Sequence, residues 1–155
     1  MLQRFQTLYL LAIVVLSCIT LFSPVADLIN KSDSLLYLVN YKGIYLLQPT
    51  GNTFQSSVWG LTAIAALVPV ISLLTIFLYN KRILQIRLSI INMVLMAGYY
   101  ALLFIYLWFA GQNLHAEWNL HLITAFPLIN IVLNFLAIRA IGKDEALVKS
   151  LNRLR

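Results

Sequence analysis

Residues 59–109 read WGLTAIAALVPVISLLTIFLYNKRILQIRLSIINMVLMAGYYALLFIYLWF. Two apolar stretches, Trp59–Tyr79 and Leu84–Phe109, flank a link holding Lys81 and Arg82, with Arg87 one turn beyond. A bilayer core of roughly 30 Å needs about 20 apolar residues in helical form. Backbone groups in hydrocarbon must find partners within their own segment, so runs of this length read as membrane helices. Two more runs lie outside this pair. Residues 7–26 contain LYLLAIVVLSCITLF, and Trp118–Ile138 follows the pair. The expected plan is four spans, at 7–26, 59–79, 84–109 and 118–138, in a single membrane domain over 1–155.

Composition agrees. Apolar residues make up 61% of the chain and charged residues 10%, against about 45–50% and 25% in ordinary soluble domains. A soluble fold of this length has too small a core to hide so much apolar surface. The first run, behind Arg4, has the outline of a signal peptide. Its candidate cleavage site, Pro24-Val25-Ala26, puts proline where a small residue is wanted, and its core is long, so a retained span is expected. The single cysteine, Cys18, excludes an intramolecular disulfide and a cysteine-based metal cluster.

Direction follows from Lys and Arg. One side collects Arg4, Lys81, Arg82, Arg87, Arg139, Lys143, Lys149, Arg153 and Arg155; the other has Lys31 and Lys42. The richer side is expected in the cytoplasm, with both termini, touching lipid headgroups. Trp59, Trp108 and Trp118 then all fall at the outer boundary, where an indole keeps its ring apolar and its N–H wet.

The outer loop, 27–58, includes SLLYLVNYKGIYLLQPTG. Two β-prone runs around Tyr41-Lys42-Gly43 predict a short hairpin; the alternative is an interfacial helix over Ser34–Leu47. Its apolar, tyrosine-rich surface reads as a partner surface at Leu35–Leu47 or as a cap over the helices. In the tail, 139–155, Gly142 is expected to end the fourth helix. Leu147, Leu151 and Leu154 then form one stripe of a short amphipathic helix lying on the inner leaflet. Fourteen residues are too few to read a nucleic acid, and none is expected as partner.

No Asp, Glu, Lys or Arg lies in the apolar body of the spans, so no proton or ion relay is indicated. Thr75, Asn92, Asn130 and Asn134 offer amides and hydroxyls for a hydrogen-bonded layer joining spans two, three and four. Ala97 and Ala101 form a small-residue pair, and Pro69 and Pro127 can kink their helices. His115, Glu117 and His121 could hold an outer metal, but His121 also stands four residues after Glu117 and could pair with it. No cofactor is expected, and no catalytic or phosphate-loop motif occurs in the sequence.

MLQRFQTLYLL at Met1–Leu11, KRILQIRLSI at Lys81–Ile90 and KDEALVKSLNRLR at Lys143–Arg155 resemble the Bacteroidota membrane proteins grouped as domain of unknown function 4293. The resemblance covers the whole length and its four-span plan. It implies a bacterial inner-membrane location and carries no activity or functional residue with it. The fold class expected is an all-α membrane protein: a four-helix transmembrane bundle with a small extracytoplasmic β-hairpin and an amphipathic C-terminal helix. The function expected is a non-enzymatic structural or accessory subunit of a membrane assembly. Its partners would be the lipid bilayer and another membrane protein or a second copy. The alternative is a small-molecule or lipid transporter.

Overall fold

A computed structural model of the chain describes residues 2–30, 35–48, 51–79 and 81–153, with side chains described over 6–30, 35–48, 51–79 and 81–146. It is mostly helical. The helices are α1 (Leu2–Phe22), α2 (Trp59–Phe77), α3 (Arg82–Leu114) and α4 (Phe126–Arg153). They pack in a ring, α1 against α2 and α4, and α3 against the same two. Three helical stretches are long and apolar enough to cross a membrane: Trp59–Phe77, Arg82–Leu114 and Leu122–Ala146. The described apolar part of α1, Gln6–Phe22, is shorter.

The segment expected as the outer loop holds more than a hairpin. Its strands are β1 (Ala26–Asn30), β2 (Leu35–Asn40), β3 (Gly43–Leu47) and β4 (Thr53–Ser56); a fifth, β5 (Glu117–Leu120), comes from the α3–α4 connection. They form one antiparallel sheet in the order β4-β3-β2-β1-β5. The predicted pair is β2 and β3, joined through Tyr41 and Lys42, with Asn40 opposite Gly43. The interfacial-helix alternative is replaced by these strands.

The register explains the sheet's seat. Ala26 pairs with Val39, Leu28 with Tyr37, Tyr37 with Leu46 and Val39 with Ile44. All of these side chains are buried, so one face of the sheet is apolar. That face packs on Val58 and Leu61 of the α2 entry and on Tyr99, Leu103, Leu107 and Ala110 of α3. With 33 residues, α3 is about 50 Å long, well beyond a bilayer core. Its last turns serve as the sheet's support. A second core, Leu10, Ile13, Val68, Met96 and Ala137, lies between the helices.

Several expected boundaries shift. The first helix ends at Phe22, and Val25 and Ala26 join the sheet core. Trp118 lies in β5, so the fourth helical stretch begins at Leu122 with a 3-10 turn over Leu122–Ala125. Pro127 is therefore second in α4, where its missing N–H breaks no helical bond. Pro69 is inside α2 and leaves the Ala65 carbonyl without its usual donor. Nor does Gly142 end a helix: α4 runs through it to Arg153. Glycine there costs about 1 kcal/mol, and two neighbours offset it. Ile141 is wholly buried, and Asp144 is held by α1 and α3. The side chains of the tail's leucine stripe lie outside the described ones, and Leu154 and Arg155 outside the described residues.

Candidate functional site

The helix interior is polar where the sequence is most apolar. Asn92 of α3 donates to the Ser72 hydroxyl of α2 at 2.7 Å. Asn134 of α4 donates to the Ser89 carbonyl of α3 at 2.9 Å. One turn away, Asn130 donates to Ser17 Oγ of α1 at 3.1 Å, and Ser17 donates to the Ile13 carbonyl. The layer thus joins all four helices rather than three. Thr75 takes part only through its backbone: its hydroxyl donates to Ile71 of its own helix, and its carbonyl accepts from Gln85 Nε2 at 2.8 Å.

Each amide spends its N–H and keeps its oxygen. The Oδ1 atoms of Asn92, Asn130 and Asn134 and the Ser89 hydroxyl are buried without a partner among the described residues. Beside Asn130, the side chains of Ser17, Thr20, Met96 and Tyr99 line a half-open recess of about 20 Å³, enough for about one water molecule.

At the sheet end, a hydroxyl is inserted into the helical ladder. Tyr100 of α3 donates to the Thr124 carbonyl at 2.6 Å and accepts from the Leu128 N–H at 3.0 Å. Leu128 would otherwise bond to Thr124 directly, four residues back. Thr124 in turn donates to the Val25 carbonyl beside β1. The start of α4 is thereby tied to α3 and to the sheet. Nearby, His121 Nε2 lies 2.9 Å from Asp27 Oδ2. Glu117 is in a strand, so the helical spacing expected to pair it with His121 does not arise. Among the described residues no three His, Cys, Asp or Glu side chains gather as a metal site would need.

The described cations other than Lys42, which stands over the Tyr41 ring in the β2–β3 turn, are held at the opposite end of the helices. Lys81, Arg87, Arg139 and Lys143 are exposed there, and Arg82 is half-buried. Arg82 Nη1 donates to the Asp144 carbonyl at 2.9 Å, tying α3 to α4. Gln6 Nε2 donates to Asp144 Oδ2 at 2.6 Å, tying α1 to α4. A cavity of about 260 Å³ opens beside them between α1 and the α2–α3 turn. The backbones of Arg4, Lys149 and Arg153 lie in α1 and α4 at this end, and their side chains lie outside the described ones. Trp59, Trp108 and Trp118 are all exposed at the sheet end, Trp118 edge-on to Phe104.

Sequence reading missed Ser17, Ser72, Ser89, Gln6 and Gln85. A signal for two of them existed: the buried face of α3 recurs at Gln85, Ser89, Asn92, Met96, Tyr99 and Leu103, the three-and-four spacing of one helix side. Asn92 shares its stripe with Ser89 and Gln85.

The model of the family described as domain of unknown function (DUF4293) matches residues 2–154. The chain belongs to that family. The match covers the four helices and the sheet together, and the family's description assigns no activity to any of them. No curated protein matches the chain.

Proposed function

We propose that this member of the DUF4293 family is a multi-pass protein of a bacterial inner membrane, and that it acts without catalysis as a structural or accessory subunit of a membrane assembly. The sheet would lie outside and both termini in the cytoplasm. The observation that carries this reading is the segregation of charge and aromatic rings. Of the described Lys and Arg side chains, Lys81, Arg82, Arg87, Arg139 and Lys143 stand at one end, and Lys42 with the three tryptophans at the other, the pattern of a protein oriented by a bilayer. Large apolar side chains such as Val94, Ile105, Val132 and Phe135 are exposed on the helices between, as lipid-facing ones would be.

The partner surface on this reading moves. Tyr37, Val39, Ile44 and Leu46 of the expected Leu35–Leu47 surface face the helix ends. The edge strand β4, exposed along its whole length with Phe54 at 56% exposure, is where a partner would add. Purification from native membranes in mild detergent tests the assignment. A stoichiometric partner lost on Phe54→Lys supports it, and a solitary protein overturns it.

A transporter is the second reading, favoured by the three unpartnered amide oxygens and the small cavity beside Asn130. It predicts liposome flux of a small polar solute that disappears in the double variant Asn130→Leu, Asn134→Leu.

A further inference from the structure

Arg82 is a half-buried cation with most of its hydrogen-bonding capacity unspent. A guanidinium has five N–H donors; here one nitrogen, Nη1, meets the Asp144 carbonyl. No carboxylate among the described residues lies within ion-pair distance of Arg82. The nearest acidic side chain in this network, Asp144, is engaged by Gln6 instead.

Three further features meet at the same place. Arg82 lines the cavity of about 260 Å³, far larger than the space beside Asn130. It also opens α3, whose first turn has no acidic residue and whose preceding residue, Lys81, makes no side-chain cap. The unpaired N–H groups of a helix start favour an anion. The cavity is two-sided in chemistry. Arg82, Tyr79 and the buried amides Gln6 and Gln85 supply its polar wall; Leu10, Ile76 and Phe77 supply the apolar one.

We propose that this cavity binds one anionic phospholipid, its headgroup phosphate on the Arg82 guanidinium and the start of α3, its acyl chain along Leu10, Ile76 and Phe77 between α1 and α2. This inference rests on the membrane reading above. A free phosphate would satisfy Arg82 equally but leave the apolar wall uncovered. Arginine suits the task because its planar fork can meet two phosphate oxygens at once.

The test uses the full chain in neutral detergent, with phosphatidylglycerol, phosphatidylcholine or inorganic phosphate added. Bound lipid is counted by native mass spectrometry and protection by thermal shift. Phosphatidylglycerol is expected to be retained at one molecule per chain in preference to phosphatidylcholine. Arg82→Gln should weaken its binding about tenfold, Arg82→Lys about threefold, and Arg87→Gln, which removes the same charge from an exposed site, less than about twofold. Equal losses in Arg82→Gln and Arg87→Gln would overturn the site, as would equal retention of the two lipids. Protection by inorganic phosphate matching that by phosphatidylglycerol would overturn the lipid and leave an anion site. If circular dichroism shows Arg82→Gln unfolded, the Arg82→Lys comparison decides. A chain that stays monodisperse without detergent would instead sink the membrane reading itself.

Discussion

Among the described residues His115, Gly43 and Gly51 have positive φ, and at His115 and Gly43 the conformation sets a testable chemical demand. His115 ends α3 with φ 47°, in the left-handed region, and its N–H returns to the Gly111 carbonyl. That is the position where helices most often carry glycine. His115→Gly should raise stability by about 1 kcal/mol, read as a higher unfolding temperature in detergent. Gly43 is the opposite case. Its φ is 150°, and an added Cβ would stand 2.5 Å from the Ser56 carbonyl oxygen and 2.6 Å from the Phe54 ring. Gly43→Ala should cost about 2 kcal/mol or more and detach β4 first, seen as rapid hydrogen exchange in 53–56. At this scale the asparagines were legible because an amide inside an apolar run has few other uses. Serine was not. A hydroxyl can return to its own helix, as Ser17 does to Ile13, so its presence names no partner.

Helices were legible as elements because 20 apolar residues have little else to form. Their ends were less so, because ends are decided by contacts distant in sequence. Trp118 belongs to β5 only because β1 offers it a pairing edge opposite Leu28. Gly142 stays helical because Asp144 is gripped from α1 and α3. The start of α4 depends in the same way on Tyr100. Tyr100→Phe removes both of its hydrogen bonds and should destabilise by about 1–2 kcal/mol. The loss should appear as faster exchange at Leu128, while α2 keeps its protection. If Leu128 exchanges at an unchanged rate, the hydroxyl is not holding that turn.

The whole molecule joins two kinds of packing. On the membrane reading proposed above, apolar contacts between the helices gain little over lipid, so the amide layer sets the fit, and the small-residue pair Ala97 and Ala101 stands on the exposed side of α3. Under the sheet, Leu28 and Leu103 meet in a core of the aqueous-protein kind. Both are fully buried, so Leu103→Ala should cost about 2–5 kcal/mol, whereas Val94→Ala on the exposed face of α3 should cost under about 0.5 kcal/mol. Thermal unfolding in detergent compares the two directly. The hairpin at the centre of this core was readable from alternation. The five-stranded sheet was not, since its edges come from short segments with no pattern of their own.

The order of the strands bears on how the protein is made. The segment β1–β4 leaves the ribosome between the first two helices, yet β1 receives its second neighbour only when β5 emerges after the third. Until then the outer side of β1 is an open edge. The last strand acts as a clasp that closes across the two helical hairpins; on the topology proposed above, both connections must reach the same compartment before the chain can finish folding. On that topology, a chain halted before β5 would present the edge to any protease on the far side of the membrane.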